Sequence, residues 1–164
     1  MSPKTFEPEV IAFCCRHCAY AAADLAGGAR ASYPPAIKIV ELPCTGRASV
    51  LEILHALEEG ADGVVVAGCL PGTCHYLKGN THARQRVDHV AGLLKKIGIE
   101  DQRARMINIS AAMGAQFAEK VTEFVETIKT LGPSPIARGG CRGGPLGVPE
   151  KDSRPNDLTG QVER

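Results

Sequence analysis

An excess of charge of either sign is missing from this chain. Its 164 residues carry 19 Lys and Arg against 18 Asp and Glu, a formal charge of +1, so it lacks the basic surplus that marks most nucleic-acid binders. No apolar stretch approaches the roughly 18–20 residues that a membrane helix requires. The opening residues 1–9 have neither the basic n-region nor the long apolar core of a secretory signal, and the expectation is a cytoplasmic protein. Nucleotide motifs are missing too. Gly68, Gly72 and Gly79 are not arranged as a G-x-G-x-x-G or a P-loop after a strand, and their expected use is turn-making. No Ser-His-Asp set or pair of carboxylates stands at a strand end, so hydrolysis has no visible machinery.

The chain is long enough for one domain with a sizeable core, and its texture alternates between β and α. Short apolar runs at 10–13, 37–42, 63–67 and 105–109 read as strands. Between them lie helical patterns at 19–29, 48–59, 81–97 and 112–131. The expected inward stripes are Val50, Leu51, Leu54 and Leu57, then Val87, Val90, Leu94 and Ile97, then Phe117, Val121, Phe124, Val125 and Ile128. Right-handed crossovers make this an α/β protein, a three-layer Rossmann- or flavodoxin-like parallel sheet in the order 2-1-3-4. Residues 1–132 form that domain. Residues 133–164 alternate proline with glycine, show no periodicity, and read as an extended tail that orders against a partner.

What the chain does have is cysteine: seven, of which six fall within the first 74 residues. An odd number in a cytoplasmic chain argues for metal or redox chemistry over structural disulfides. Each group directly follows an apolar run. Cys14, Cys15 and Cys18 follow the first, Cys44 the second, and Cys69 and Cys74 the third. If the runs are parallel strands, all these thiols emerge at one edge of one sheet, where α/β proteins build their sites. The third βα loop, 69–80, is the long one and reads as a lid.

Spacing leaves several chemistries open. Cys15-Arg16-His17-Cys18 is a C-x-x-C, compatible with an iron–sulfur cluster, half a zinc site, or a dithiol oxidoreductase. A dithiol leaves Cys44, Cys69 and Cys74 without a task, and a structural zinc site lacks its second knuckle. Inert buried thiols are the remaining alternative. Arg47, three residues after Cys44, and Lys78, Arg84 and Arg86, soon after Cys74, are placed to offset the negative charge of a thiolate-bound cluster. For Arg84 and Arg86 a solvated helix face competes with that role. His75 is either a donor to a cluster sulfur or a packing residue.

The stretches FCCRHCAYAAADLAG, YPPAIKIVELPCTGR, EGADGVVVAGCLPGTCHYLKGNTHARQR and LLKKIGIEDQRARMINISAAMGAQFAEKVTEF together resemble the delta subunit of methyl-viologen-reducing hydrogenase. That family is the small iron–sulfur subunit which docks on heterodisulfide reductase, and the likeness covers about residues 8–133. It implies a [2Fe-2S] cluster drawn from Cys15, Cys18, Cys44, Cys69 and Cys74, five candidates where four are needed; the residues themselves place Cys14, Arg47 and His75 around it. Cys14 is an addition to the family pattern, and Arg16-His17 replaces the Asn-Trp of many relatives. The implied role is electron relay from a hydrogenase or formate dehydrogenase to the flavin-containing A-type subunit of a heterodisulfide reductase that bifurcates electrons. An adaptor shaped by zinc or thiols, a dithiol enzyme, and the same relay in another low-potential complex such as an aromatic-ring reductase are the alternatives.

Overall fold

Val- and Ile-rich segments with no helical spacing form the strands of the computed structural model, which describes residues 6–136. They are β1 (Val10–Cys15), β2 (Ile37–Leu42), β3 (Gly63–Gly68) and β4 (Ala104–Asn108). All pairs are parallel and the order is β2-β1-β3-β4, as the crossover argument requires. Central β3, with the sequence GVVVAG, is buried at every position. Edge strand β2 instead alternates, leaving Val40 exposed.

Helices cover both faces. On one side α1 (Ala21–Gly28) and α4 (Gly114–Leu131) pack with Val10, Ala12, Val65 and Ile107. The alanines of α1 let α4 come so near that a Cβ on Gly114 would stand 2.9 Å from the Ala26 nitrogen. Phe117, Val121, Phe124, Val125 and Ile128 of α4 are fully buried, each side chain contributing about 1.5–3 kcal/mol. On the other face lie α2 (Val50–Glu58), opened by a Ser49–Glu52 capping box, and α3 (Gly79–Lys96). Three layers result, as expected.

The local differences have simple causes. Strand β1 continues through Cys14 and Cys15, which pair with Glu41 and Leu42 of β2, since a thiol behaves as a small hydrophobe in a sheet. In α2 the buried residues are Ile53 and Leu57, whereas Leu51 is 77% exposed. The i, i+4 pair faces the sheet, and a Leu two positions before Ile53 cannot share that face. Ile97 lies beyond the last turn of α3 and is likewise exposed.

At the N-terminal edge of the sheet, Arg103 is 1% exposed and donates to the carbonyls of Asp62 (2.9 Å) and Gly132 (3.1 Å) and to the Glu100 carboxylate (2.8 Å). The Asp62 carboxylate accepts from the Glu9 and Ser134 amides at 2.9 and 2.7 Å. The end of α4 is thereby fastened at the edge opposite the cysteines. Of the tail expected over 133–164, residues 133–136 are described, with Ser134 buried, and the remainder, Cys141 included, lies outside the described residues. Among the described residues no helix is long and apolar enough to cross a membrane.

Candidate metal centre

Three strand ends and one helix start deliver the thiols. Cys15 is the last residue of β1, and the wide turn Arg16–Tyr20 that follows curls Cys18 back beneath it. Cys69 is the first residue after β3, the neighbour of β1. The three sulfurs lie within 4.8 Å of one another, Cys15 Sγ and Cys69 Sγ being 3.9 Å apart, and all three residues are buried. No fourth ligand atom among the described residues comes that close to all three.

Cys44 and Cys74 form a second group against α3. The loop after β2 makes the single turn Thr45–Arg47, and the Gly46 amide donates to Cys44 Sγ at 3.4 Å. The lid, Cys69 to Lys78, ends as Cys74 reaches the beginning of α3, whose first residue is Gly79. A Cβ on Gly79 would overlap Cys44 Sγ and stand 3.2 Å from Cys74 Sγ. The helix start is therefore a floor on which both sulfurs rest, and only glycine leaves room for them.

Main-chain amides face these sulfurs. Thiolate at Cys15 is favoured to a value of about 5, first by the hydrogen bond from Cys18 and then, against the cost of burial, by the amides of His17 and Thr45 and by Cys69. Cys18, as the donor to Cys15, is pushed up. Burial also raises Cys69 and Cys44, with amides from His75 and Gly46 working the other way. Burial opposes ionisation at Cys74 as well, but the amides of Asn80, Tyr76 and Gly79 at the positive end of α3 prevail and lower it. Such a nest of donors offsets thiolate charge without any cationic side chain.

Of the residues expected around the cofactor, Cys14 shares the strand face of Val10 and Ala12, is fully buried, and is pushed up to about 12 by burial and then by the nearby Cys15. Arg47 is exposed. His75 turns its backbone amide toward Cys69, while its ring stacks on His17 with centroids 4.1 Å apart and Tyr76 edge-on. These two histidines border a cleft of about 300 Å³ that reaches Cys18 and Cys69 between Thr73, Ile109 and Ser110.

The residues that sequence reasoning missed are amide side chains. Asn80 Nδ2 donates to the Cys69 and Leu70 carbonyls at 3.1 and 2.9 Å, and Asn108 Nδ2 to Cys69 O at 2.6 Å. Arg84 in turn holds Asn108 Oδ1 at 2.8 Å. The available signal was position, since Asn80 and Asn108 both stand at the sulfur-bearing edge, one at the first turn of α3 and the other at the end of β4. Arg86 grips the Cys44 loop through the Gly46 and Ala48 carbonyls.

A family described as methyl-viologen-reducing hydrogenase, delta subunit, matches residues 10–132. The D-type iron-sulfur subunit of the F420-non-reducing hydrogenase of Archaeoglobus profundus is 47% identical over 133 residues, 81% of this chain and 97% of that protein. Its counterpart in the vhu F420-non-reducing hydrogenase of Methanocaldococcus jannaschii is 42% identical over 130 residues, covering 79% and 97%. The A-type subunit of the ferredoxin:CoB-CoM heterodisulfide reductase of Methanosarcina mazei is 44% identical over 126 residues, 77% of this chain but 16% of that much longer protein.

Proposed function

This chain belongs to the methyl-viologen-reducing hydrogenase delta-subunit family, and we propose that it is an electron-transfer protein whose Cys15, Cys18, Cys44, Cys69 and Cys74 supply four ligands to a [2Fe-2S] cluster. One observation carries the choice of centre. The sulfurs fall into two adjoining groups, Cys15, Cys18 and Cys69 in one and Cys44 with Cys74 in the other. A tetrahedral zinc, at about 2.3 Å from each thiolate, needs four sulfurs gathered around one point, whereas two metal atoms suit two groups. The hydrogenase relatives are named as iron–sulfur proteins, which supports the same reading.

When bound, such a cluster supplies one-electron oxidation and reduction. The chain's own part is to keep the thiolates ionised and dry. Buried Cys15, Cys18, Cys69 and Cys74 exclude water, and the amides of Thr45, His75, Tyr76, Gly79 and Asn80 offset negative charge. The cleft beside His17 and His75 is where a partner's redox group approaches nearest.

For the partners, the Methanosarcina relative is informative, because there a segment like this chain is part of a heterodisulfide reductase polypeptide. A relay fused to its acceptor in one organism serves as a separate chain beside that acceptor in another. The donor is a hydrogenase or formate dehydrogenase, the acceptor the flavin-bearing A-type subunit of the reductase, and the setting an electron-bifurcating complex in the cytoplasm. Anaerobic purification tests this. Two irons and two sulfides per chain, with a dithionite-bleached visible band, a paramagnetic reduced state and co-purification with the flavin-bearing reductase chain, are expected. A colourless chain with one zinc, or disulfide turnover surviving Cys44→Ser and Cys69→Ser, would overturn it.

A further inference from the structure

Arg86 stands two turns into α3, yet its Nη1 reaches the carbonyl oxygens of Gly46 at 2.5 Å and Ala48 at 2.9 Å. Forty residues separate Arg86 from Gly46 in sequence. Those two carbonyls flank Arg47 in the turn directly after Cys44, so the guanidinium draws that whole turn down onto the helix. The approach it enforces is close. A Cβ on Gly46 would lie 2.9 Å from Gly79 Cα, and one on Gly79 would overlap Cys44 Sγ. Helix α3 thus supplies the glycine that admits Cys44, the amides that face Cys74, and the cation that holds the Cys44 turn in place. A solvated basic face has no need of a two-carbonyl grip on another loop.

We propose that Arg86 is a positioning residue. By clamping the Gly46 and Ala48 carbonyls it fixes Cys44 Sγ beside Cys74 Sγ at the start of α3, making these two thiols one half of the metal-binding set. The proposal rests on the iron–sulfur reading above, but the clamp also has a consequence in the metal-free chain. There, Cys44 and Cys74 are held as a ready pair while Cys15, Cys18 and Cys69 pair among themselves independently.

The test compares the full chain with Arg86→Met, Arg86→Lys and Gly46→Ala. In the metal-free protein, diamide is titrated and the disulfides formed are mapped by peptide analysis. In the anaerobically reconstituted protein, iron release to a chelator and the g-values of the reduced state are measured. Arg86→Met is expected to form the Cys44–Cys74 link several-fold more slowly with linkage among Cys15, Cys18 and Cys69 unchanged. It should also shift the g-values and release iron about 10- to 100-fold faster. Arg86→Lys should fall between it and the parent, and Gly46→Ala, which pushes the same turn off α3, should move both readouts the same way. If Arg86→Met does not fold by circular dichroism, Gly46→Ala decides. Unchanged linkage and unchanged g-values overturn the clamp, even if the reduction potential moves, because charge alone would do that. A parent chain that takes up no iron or sulfide, but whose Cys44–Cys74 link still depends on Arg86, overturns the cluster and leaves the clamp standing.

Discussion

The sulfurs of Cys15 and Cys69 lie 3.9 Å apart although 54 residues separate them in the chain. Parallel pairing of β1 with β3 ends both strands at one edge, and each cysteine stands at or just past its strand's end. Cys14, one residue earlier, is turned into the core by strand alternation. Neighbours in sequence therefore have opposite fates. Cys15→Ser and Cys69→Ser should each bring iron uptake in anaerobic reconstitution to background. Cys14→Ala should keep the full iron complement while losing about 1–2 kcal/mol of stability as a small core truncation. Equal iron loss in all three variants would contradict the division.

Two glycines of α3 make a paired experiment. At Gly79 an added Cβ meets Cys44 Sγ and Cys74 Sγ, so Gly79→Ala should displace the thiols and abolish metal uptake, read by iron content and visible absorption. At exposed Gly92 an added Cβ meets nothing within 4 Å. Gly92→Ala should leave the spectrum unchanged and raise stability by about 0.5–1 kcal/mol, measured by urea unfolding, because alanine loses less backbone entropy in a helix.

The sheet order, the apolar core of α4 and the shared cysteine edge are all legible in the sequence, because each follows from periodicity and from the handedness of βα crossovers. Phe117, Val121 and Phe124 face inward just as a 3.6-residue stripe demands. Leu51 departs from its expected stripe because the Ile53–Leu57 pair faces the sheet and a residue two positions before Ile53 lies off that face. What spacing does not convey is the closeness of backbone to backbone. Gly79 reads as a turn glycine, yet its task is to make room for two sulfurs that arrive from other elements. Likewise spacing favours Arg47, three residues after Cys44, over Arg86, for which a solvated helix face competes. Only the packing of the Cys44 turn on α3 leaves one exposed and makes the other a clamp.

The network at the far edge predicts a purely structural phenotype. Arg103, buried, donates to the Asp62 and Gly132 carbonyls and to Glu100, while Asp62 receives the Glu9 and Ser134 amides. Arg103→Met strands buried carbonyl groups and should lower unfolding stability by about 3 kcal/mol. Since this edge lies across the sheet from the thiols, iron content and g-values should stay those of the parent. A changed spectrum would mean that the two edges are coupled.

Cys14 also gives a pH dependence of definite sign. Burial first, then the charge on Cys15, raises its thiol from the ordinary 9.0 to about 12. The folded chain therefore keeps this proton at pH values where the unfolded chain has released it. Its contribution to stability is intact below pH 9 and is lost as pH climbs toward 12, with a steepest slope of about 1.4 kcal/mol per pH unit. Cys15, held down at about 5, acts with the opposite sign: its contribution is present above 9 and is lost as pH falls toward 5. Replacing Cys14 with Ala removes only the alkaline term. In urea unfolding of the metal-free protein between pH 8 and 11, the parent should lose stability more steeply than Cys14→Ala, and the two curves should converge below pH 8 apart from the constant cost of truncation. Parallel curves across the whole range would show that Cys14 ionises as easily in the folded protein as in the unfolded one, and that the core around it admits water.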